Sequence, residues 1–240
     1  MIREIVKNIL KTLEIPLTQN LEIDINTERI IRKLAKEGKI KNGIDIGVLD
    51  GDILRLFVKY MPNGLHSGIE PISEKFEKLK QQFEKNKNVS LFNYAAGEQN
   101  EKTKFFWVKS NPSYSGLRMR DYPKEEEIKE VAVEKRRLDD ILEGKRKIDI
   151  IKIDVEGGEY GVLLGAEKIL KQDKPILIFE FGLGAANHYS TSAKQMYELL
   201  TQFDYKIYTL KSWLKGQNYF DLQTFEENYK TNKHYYFIAE

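Results

Sequence analysis

Two hydrophobic periods run along this chain. Over the first 40 residues, apolar side chains recur every three or four positions. Ile2, Ile5, Val6, Ile9, Leu10 and Leu13 form one helical stripe that Pro16 ends. Ile30, Ile31 and Leu34 mark a second helix, starting near Thr27 and stopping at Gly38. Such a segment serves as a substrate cap, as the face of a homodimer, or as packing against the domain that follows. From residue 43 the period shortens. GIDIG (43–47), LHSGIE (65–70), VSLFNYAA (89–96), IDIIKID (148–154), PILIFEF (175–181), YKIYTL (205–210) and HYYFIAE (234–240) read as strands. Amphipathic helices alternate with them: Ile53 to Tyr60, a helix capped by Ser73 with Phe76, Leu79 and Phe83 inward, a helix from Val162 to Leu170, and residues 192–203.

Strands that are apolar throughout are buried on both faces, and strand–helix alternation then implies a mostly parallel sheet with helices on both sides. The predicted class is therefore α/β, Rossmann-like: a helical extension over residues 1–41 and one domain over 42–240. LKGQNYFDLQTFEENYKTNK, between the last two strands, shows no helical crossover, which predicts an antiparallel final pair. Residues 98–140 interrupt the alternation. FFWV (105–108) reads as a strand, SNPSYSGLRMRDYPKEEE as a loop, EVAVEKRRLDDIL as alternating and then helical, and the whole as a substrate loop or lid, or a disordered stretch, beside the functional edge of the sheet.

Composition narrows the chemistry. The 240 residues include no cysteine, which excludes disulfides, thiolate-bound metals and thiol nucleophiles. The 39 Lys and Arg nearly balance 37 Asp and Glu, for a net charge of +2, so bulk charge does not point to a nucleic-acid partner. His66, His188 and His234 are far apart in sequence and no HExxH occurs, which argues against a zinc hydrolase. No apolar run reaches membrane-spanning length, and Arg3, Glu4, Lys7 and Lys11 interrupt the N-terminus; a cytoplasmic protein without a membrane span is expected.

Candidate chemistry gathers at strand ends. Asp45-Ile-Gly47-Val-Leu-Asp50-Gly51 is a strand–helix turn whose glycines admit a ligand against the backbone. It lacks the GxGxxG that cradles a pyrophosphate, so a cofactor without pyrophosphate fits better than NAD. Glu70 closes the next strand 19 residues after Gly51, where a carboxylate can accept both hydroxyls of a ribose. Tyr94 and Ala95 leave room for a flat ring, although close packing of a strand end reads the same way. Lys152-Ile-Asp154-Val-Glu156-Gly157-Gly158-Glu159 sets three carboxylates just past a buried strand, a costly arrangement unless they are paired or engaged with ligand. Asp154 and Glu156 therefore read as site residues, while Glu159 reads as solvent-facing or as a helix cap. Glu180 points to the same edge, and His188 follows in the next loop.

These residues carry a resemblance. DIGVLDG, GIEPISEKFEKL, NYAAGE, RRLDDIL and IDIIKIDVEGGEYGVLLGAEKIL resemble, in order and spacing over about residues 42–182, the FkbM family of S-adenosylmethionine-dependent methyltransferases. The most specific stretch is KIDVEGGEYGVLLGA. The resemblance implies the class I methyltransferase fold, with an antiparallel strand at one end of a seven-stranded sheet, and O-methylation of a sugar or polyketide hydroxyl. It implies that Asp45, Gly47 and Gly51 line the methionine and ribose part of S-adenosylmethionine, that Glu70 holds the ribose hydroxyls, that Tyr94 and Ala95 border adenine, and that Asp154 lies near the cofactor's amino group or the acceptor. Leu49 stands where the family commonly has Asn.

Methyl transfer to a hydroxyl benefits from a base that removes its proton. Glu156, Asp154 and His188 are the candidates, in that order. The alternative is that Asp154 and Glu156 hold Mg2+, which would orient a sugar diol. Tyr114, Ser115, Arg118 and Glu180 are candidate contacts to a small-molecule or sugar-containing acceptor, Arg118 to a phosphate on it. A non-catalytic adenosine-binding scaffold is the competing reading, and an NAD-dependent oxidoreductase a further one.

Overall fold

The computed structural model describes residues 17–142, 144 and 146–240. The stripe Ile2–Leu13 lies outside the described residues. Helix α1 spans Gln19–Lys36 and starts well before Thr27, because the Thr18 hydroxyl accepts from the Leu21 N–H and caps it. It stops where expected, with Gly38 in the left-handed region at φ 68°.

The strands that follow are β1 (Gly43–Ile46), β2 (His66–Ile69), β3 (Val89–Phe92), β7 (Ile150–Ile153), β8 (Ile176–Glu180), β9 (Ile207–Thr209) and β10 (Tyr236–Ala239). Among the described residues they form one sheet of seven strands in the order β3-β2-β1-β7-β8-β10-β9. The β1–β2, β1–β7, β2–β3 and β7–β8 pairs are parallel, and β10 is antiparallel to both of its neighbours. This is the mostly parallel, seven-stranded architecture that the resemblance implies, with one refinement: the antiparallel strand is second from the edge. Its register sets Tyr236 opposite Glu180.

Helices cover both faces. One face packs Ile44, Ile46, Ile151, Ile153, Leu177 and Phe179 against α4 (Leu138–Ile141), α5 (Glu159–Leu164), α6 (Glu167–Gln172), α7 (Ala193–Thr201) and α9 (Leu222–Thr231). The other packs Ile150, Ile178 and Ile238 against α1, α2 (Asp52–Tyr60), α3 (Ser73–Gln82) and α8 (Leu210–Leu214). Successive strand residues face opposite ways. Asp45, Lys152, Glu180 and Tyr236 therefore share the parity of the second face, the one under α1, α2 and α8.

Several expected elements differ. The strand expected over 89–96 breaks at Asn93, whose side-chain amide donates to the carbonyls of Glu70 (2.8 Å) and Pro71 (3.0 Å). After the break, β4 (Ala95–Ala96) joins a second sheet, order β4-β6-β5, with β5 (Glu101–Val108) and β6 (Ile128–Arg136). Most of the expected lid, 98–140, is thus an antiparallel hairpin, and only 109–127 connects its strands. Ser73 does not cap α3: Ile72 holds that position, and the Ser73 hydroxyl donates to Asn93. The expected helix through 162–170 is two short ones, and the stretch between β9 and β10 contains α8 and α9. No described helix is long and apolar enough to cross a membrane.

Candidate active site

The glycine turn after β1 is built around its backbone. Gly47 has φ 83°, and a Cβ there would come within 1.8 Å of the Asp154 carbonyl oxygen, so only glycine lets the β1 and β7 loops approach this closely. Leu49 is also left-handed, at φ 52°, a conformation that Asn adopts more readily. Its N–H donates to Glu70 Oε2 at 2.9 Å. The other Glu70 oxygen accepts from the Ile72 N–H at 2.8 Å. Glu70 therefore clamps two loops while retaining lone pairs for further donors. Burial pushes its carboxyl up to about 7, against the pull of those two N–H groups.

Glu70 lines a cleft with Gly47, Tyr94, Ala95, Ser115 and Glu156. Its apolar walls are Ile69, Ile72, Phe105 and Leu117, the last three from the small core beneath the second sheet. The Arg136 guanidinium lies 4.2 Å from the Tyr94 ring centre. The cleft continues past Gly47, Leu49 and Asp154, residues it shares with a second cavity lined by Asp45, Lys152 and Tyr236. Asp45 is 1% exposed, and neither carboxylate oxygen has a hydrogen-bond partner. Burial raises it to about 7, with Lys152 pulling the other way.

Beyond β7 the carboxylates form a network. Asp154 Oδ2 accepts from Lys152 Nζ (2.9 Å) and from the Tyr236 hydroxyl. Burial alone would raise Asp154, but Lys152 and the hydrogen bonds of Tyr236 and Glu180 outweigh it and hold its carboxyl below the ordinary value. Glu180 is pushed well up by burial and by Asp154. Glu156 has φ 55° and pairs with Arg120; burial and Asp154 push it up to about 8. Asp154, Glu156 and Glu180 bring oxygens within 4.8 Å of one another. Two cations of the chain itself, Lys152 and Arg120, already compensate this cluster, which weakens the case for a metal ion there. Glu159 is not solvent-facing. It is fully buried, and Oε1 accepts from the Val155 (3.0 Å) and Gly157 (3.2 Å) N–H groups, fixing the turn that presents Glu156.

The structure thus brings together Asp45, Gly47, Glu70, Tyr94, Ala95, Asp154, Glu156 and Glu180. Gly51 (φ 84°) caps α2 at the back of the turn. Ser115 lines the cleft and accepts from the Val108 N–H at 3.0 Å. Tyr114 sits 5.0 Å from the Arg120 guanidinium. Arg118 is exposed and outside the cleft lining; Arg120, two residues on, is the arginine that reaches the carboxylates. His188 is also outside the lining and faces Asp121 at 3.5 Å. Its neighbour Tyr189 accepts from the Arg118 N–H (3.1 Å) and packs on the Gly157–Gly158 turn. Sequence reasoning missed Lys152, Arg120, Asn93, Tyr189 and Tyr236. A single lysine inside Ile-Ile-Lys-Ile was a usable sign; the two tyrosines carried none.

The profile of the methyltransferase FkbM domain matches residues 45–207, more than half of the chain. The chain belongs to the FkbM methyltransferase family. Among solved structures, the methyltransferase FkbM from Methylobacillus flagellatus is 17% identical with a TM-score of 0.49; the match covers 70% of this chain and 39% of that one. The precorrin-6y C5,15-methyltransferase from Geobacter metallireducens is 12% identical with a TM-score of 0.45, covering 81% of this chain and 76% of that one. The O-methyltransferase TomG from Streptomyces achromogenes, solved with S-adenosylmethionine, is 12% identical with a TM-score of 0.39, over 65% and 55%. No curated protein matches the chain. The FkbM match contains the glycine turn, Glu70 and the Asp154–Glu159 loop, and leaves out α1 and β10.

Proposed function

We propose that this chain is an S-adenosylmethionine-dependent O-methyltransferase acting on a hydroxyl of a sugar, glycoconjugate or polyketide-like small molecule. The observation that carries the reading is Asp45, a buried carboxylate without partners, in a cavity that joins an apolar slot through the Gly47 turn. A buried carboxylate left unpaired is costly, and a cationic ligand relieves it. S-adenosylmethionine, when bound, supplies a methyl group already activated by its sulfonium. Glu70 would hold the ribose hydroxyls with the lone pairs its two N–H donors leave free. Tyr94, Ala95, Ile72 and Leu117 would enclose a flat base.

Glu156 is the group that would take the acceptor's proton. It lines the cleft, and a carboxylate raised toward neutrality is a better base than an ordinary one. Arg120 holds it in place, while Lys152 and Tyr236 keep Asp154 ionised beside it. The compensation by Lys152 and Arg120 favours this reading over Mg2+.

Calorimetry of the full chain with S-adenosylmethionine, S-adenosylhomocysteine and NAD tests the cofactor, and transfer of a labelled methyl group to sugar and polyketide hydroxyls tests the acceptor. Binding of both sulfur ligands but not NAD, with label on an acceptor oxygen, is the expected result. NAD binding without response to the sulfur ligands would overturn the reading, and cofactor binding without transfer to any acceptor would favour a scaffold.

A further inference from the structure

The connection between β5 and β6, residues 109–127, is tied to the carboxylate edge of the main sheet through Arg118, Arg120 and Asp121. The Arg118 N–H donates to the Tyr189 hydroxyl at 3.1 Å, the Asp121 N–H to His188 Nε2 at 3.4 Å, and the Arg120 guanidinium to Glu156. Arg120 also lies 5.0 Å from the Tyr114 ring centre. A Cβ at Gly184 would come within 3.3 Å of its Nη2, so the loops after β7 and β8 both border this arginine.

Arg120 is incompletely satisfied there. A guanidinium carries five N–H donors in a fixed fork. Nη1 meets Glu156, but Nε is buried and has no partner. Tyr122, whose ring packs on Tyr114 at 6.2 Å, has a buried hydroxyl in the same condition. Orphaned donors on one short connection carry a cost that a ligand with several oxygens removes. The arginine also opposes Glu156 as a base: burial and Asp154 raise the proton affinity of that carboxyl, and Arg120 lowers it. Among the described ion pairs Arg120 is the one cation on Glu156, since Lys152 is engaged by Asp154 at 2.9 Å.

We propose that Arg120 selects the acceptor, by exchanging Glu156 for a carboxylate or phosphate that the acceptor carries. This rests on the O-methyltransferase reading above and narrows its acceptor to an acidic one. The guanidinium fork takes two oxygens of such a group at once and so employs Nε, whereas a neutral hydroxyl does not displace a paired carboxylate. The exchange leaves Glu156 without its cation beside Asp154 and Glu180. Glu156 then receives the hydroxyl proton as the acceptor oxygen takes the methyl group and sulfur keeps the electron pair of the broken bond.

The test titrates glucuronate, glucose 6-phosphate and neutral methyl glucoside into the full chain with S-adenosylhomocysteine present, by calorimetry and by the NMR resonance of the Arg120 Nε–H. The acidic sugars are expected to bind about tenfold more tightly than methyl glucoside, the worth of one charge-assisted contact, and only they shift the Nε–H resonance. A preference confined to the carboxylate or to the phosphate supports the proposal and identifies the acidic group. Arg120→Gln removes the preference, and Arg120→Lys, which keeps the charge without the fork, retains only part of it; both bind S-adenosylhomocysteine like the wild type. Should Arg120→Gln fail to fold, Arg120→Lys carries the same comparison. Lys124→Gln, at an exposed lysine of the same connection, leaves the preference unchanged. If acidic and neutral sugars bind alike or not at all, if the preference survives Arg120→Gln or is undiminished in Arg120→Lys, or if Lys124→Gln abolishes it too, Arg120 does not select the acceptor. Those outcomes leave the cofactor reading standing, whereas a wild-type chain that binds no S-adenosylhomocysteine overturns that reading, and this one with it.

Discussion

At the scale of single residues, Glu70 shows how one side chain serves both the fold and the ligand. Its oxygens accept from Leu49 N–H on one loop and Ile72 N–H on another, so it sets the distance between the two walls of the cleft. Leu49 needs this clamp, because its left-handed backbone is strained for a branched apolar residue. Glu70→Ala removes the clamp and the ribose acceptor together, and cofactor affinity should fall by roughly 1–3 kcal/mol in a calorimetric titration. An unchanged affinity would place the ribose elsewhere. Glu156 separates differently. Glu156→Gln keeps the shape and the left-handed turn but removes the proton acceptor, so turnover should fall about 10²- to 10⁴-fold while cofactor affinity stays near wild type. Turnover that survives the substitution would move the base to another group.

At the scale of elements, β1, β7 and β8 were readable because each is short, mostly apolar and buried on both faces, a pattern helices of this length do not share. The C-terminal helices α8 and α9 were not, because their buried residues are few. What starts them is capping: Thr209 accepts from Ser212 N–H at 3.0 Å, and Asp221 and Thr224 cap each other. The hairpin β5–β6 was read only in part, as the strand FFWV, for another reason. Its only buried apolar positions are Phe105, Val108 and Val133, set around Gly- and Pro-containing loop residues that dominate the local reading. The same limit applies to the site. Asp45, Gly47, Glu70, Asp154 and Glu156 stand at strand ends and could be named from position, whereas Arg120 and Tyr236 reach the carboxylates across 36 and 82 residues of sequence. Asp139 of RRLDDIL illustrates a motif residue whose work is structural. It is buried, and its two oxygens accept from the N–H groups of Lys168 and Ile169 at 3.1 Å, capping α6 from a distant element. Asp139→Ala should lower unfolding stability by about 1–3 kcal/mol in a denaturant titration and leave cofactor affinity unchanged. A loss of affinity at unchanged stability would give this motif a direct role at the site.

At the scale of the whole molecule, a net charge of +2 conceals a concentration of buried acid at one edge of the sheet. Asp45, Glu70 and Glu159 are raised to about 7 and Glu156 to about 8, in each case chiefly by burial. An acid whose carboxyl is higher in the folded than in the unfolded chain keeps its proton longer when folded. Between about pH 4.5 and 8 the folded state therefore binds more protons, and stability falls as pH rises through that window. The ligand-free chain should melt at a higher temperature at pH 5.5 than at pH 8, and a melting temperature that rises over this range would contradict the burial of these groups as ionisable sites. A cationic ligand reverses the trend locally, because it stabilises the ionised Asp45 and is bound with release of protons. S-adenosylmethionine carries the S-methyl group and with it the sulfonium charge, S-adenosylhomocysteine has neither, and the rest of the two molecules is shared. The affinity ratio of the first to the second should therefore increase from pH 6 to pH 8 in parallel titrations. Equal slopes for both ligands would show that the buried acids do not sense the sulfonium, and that their elevated proton affinity serves the fold and not the recognition of charge.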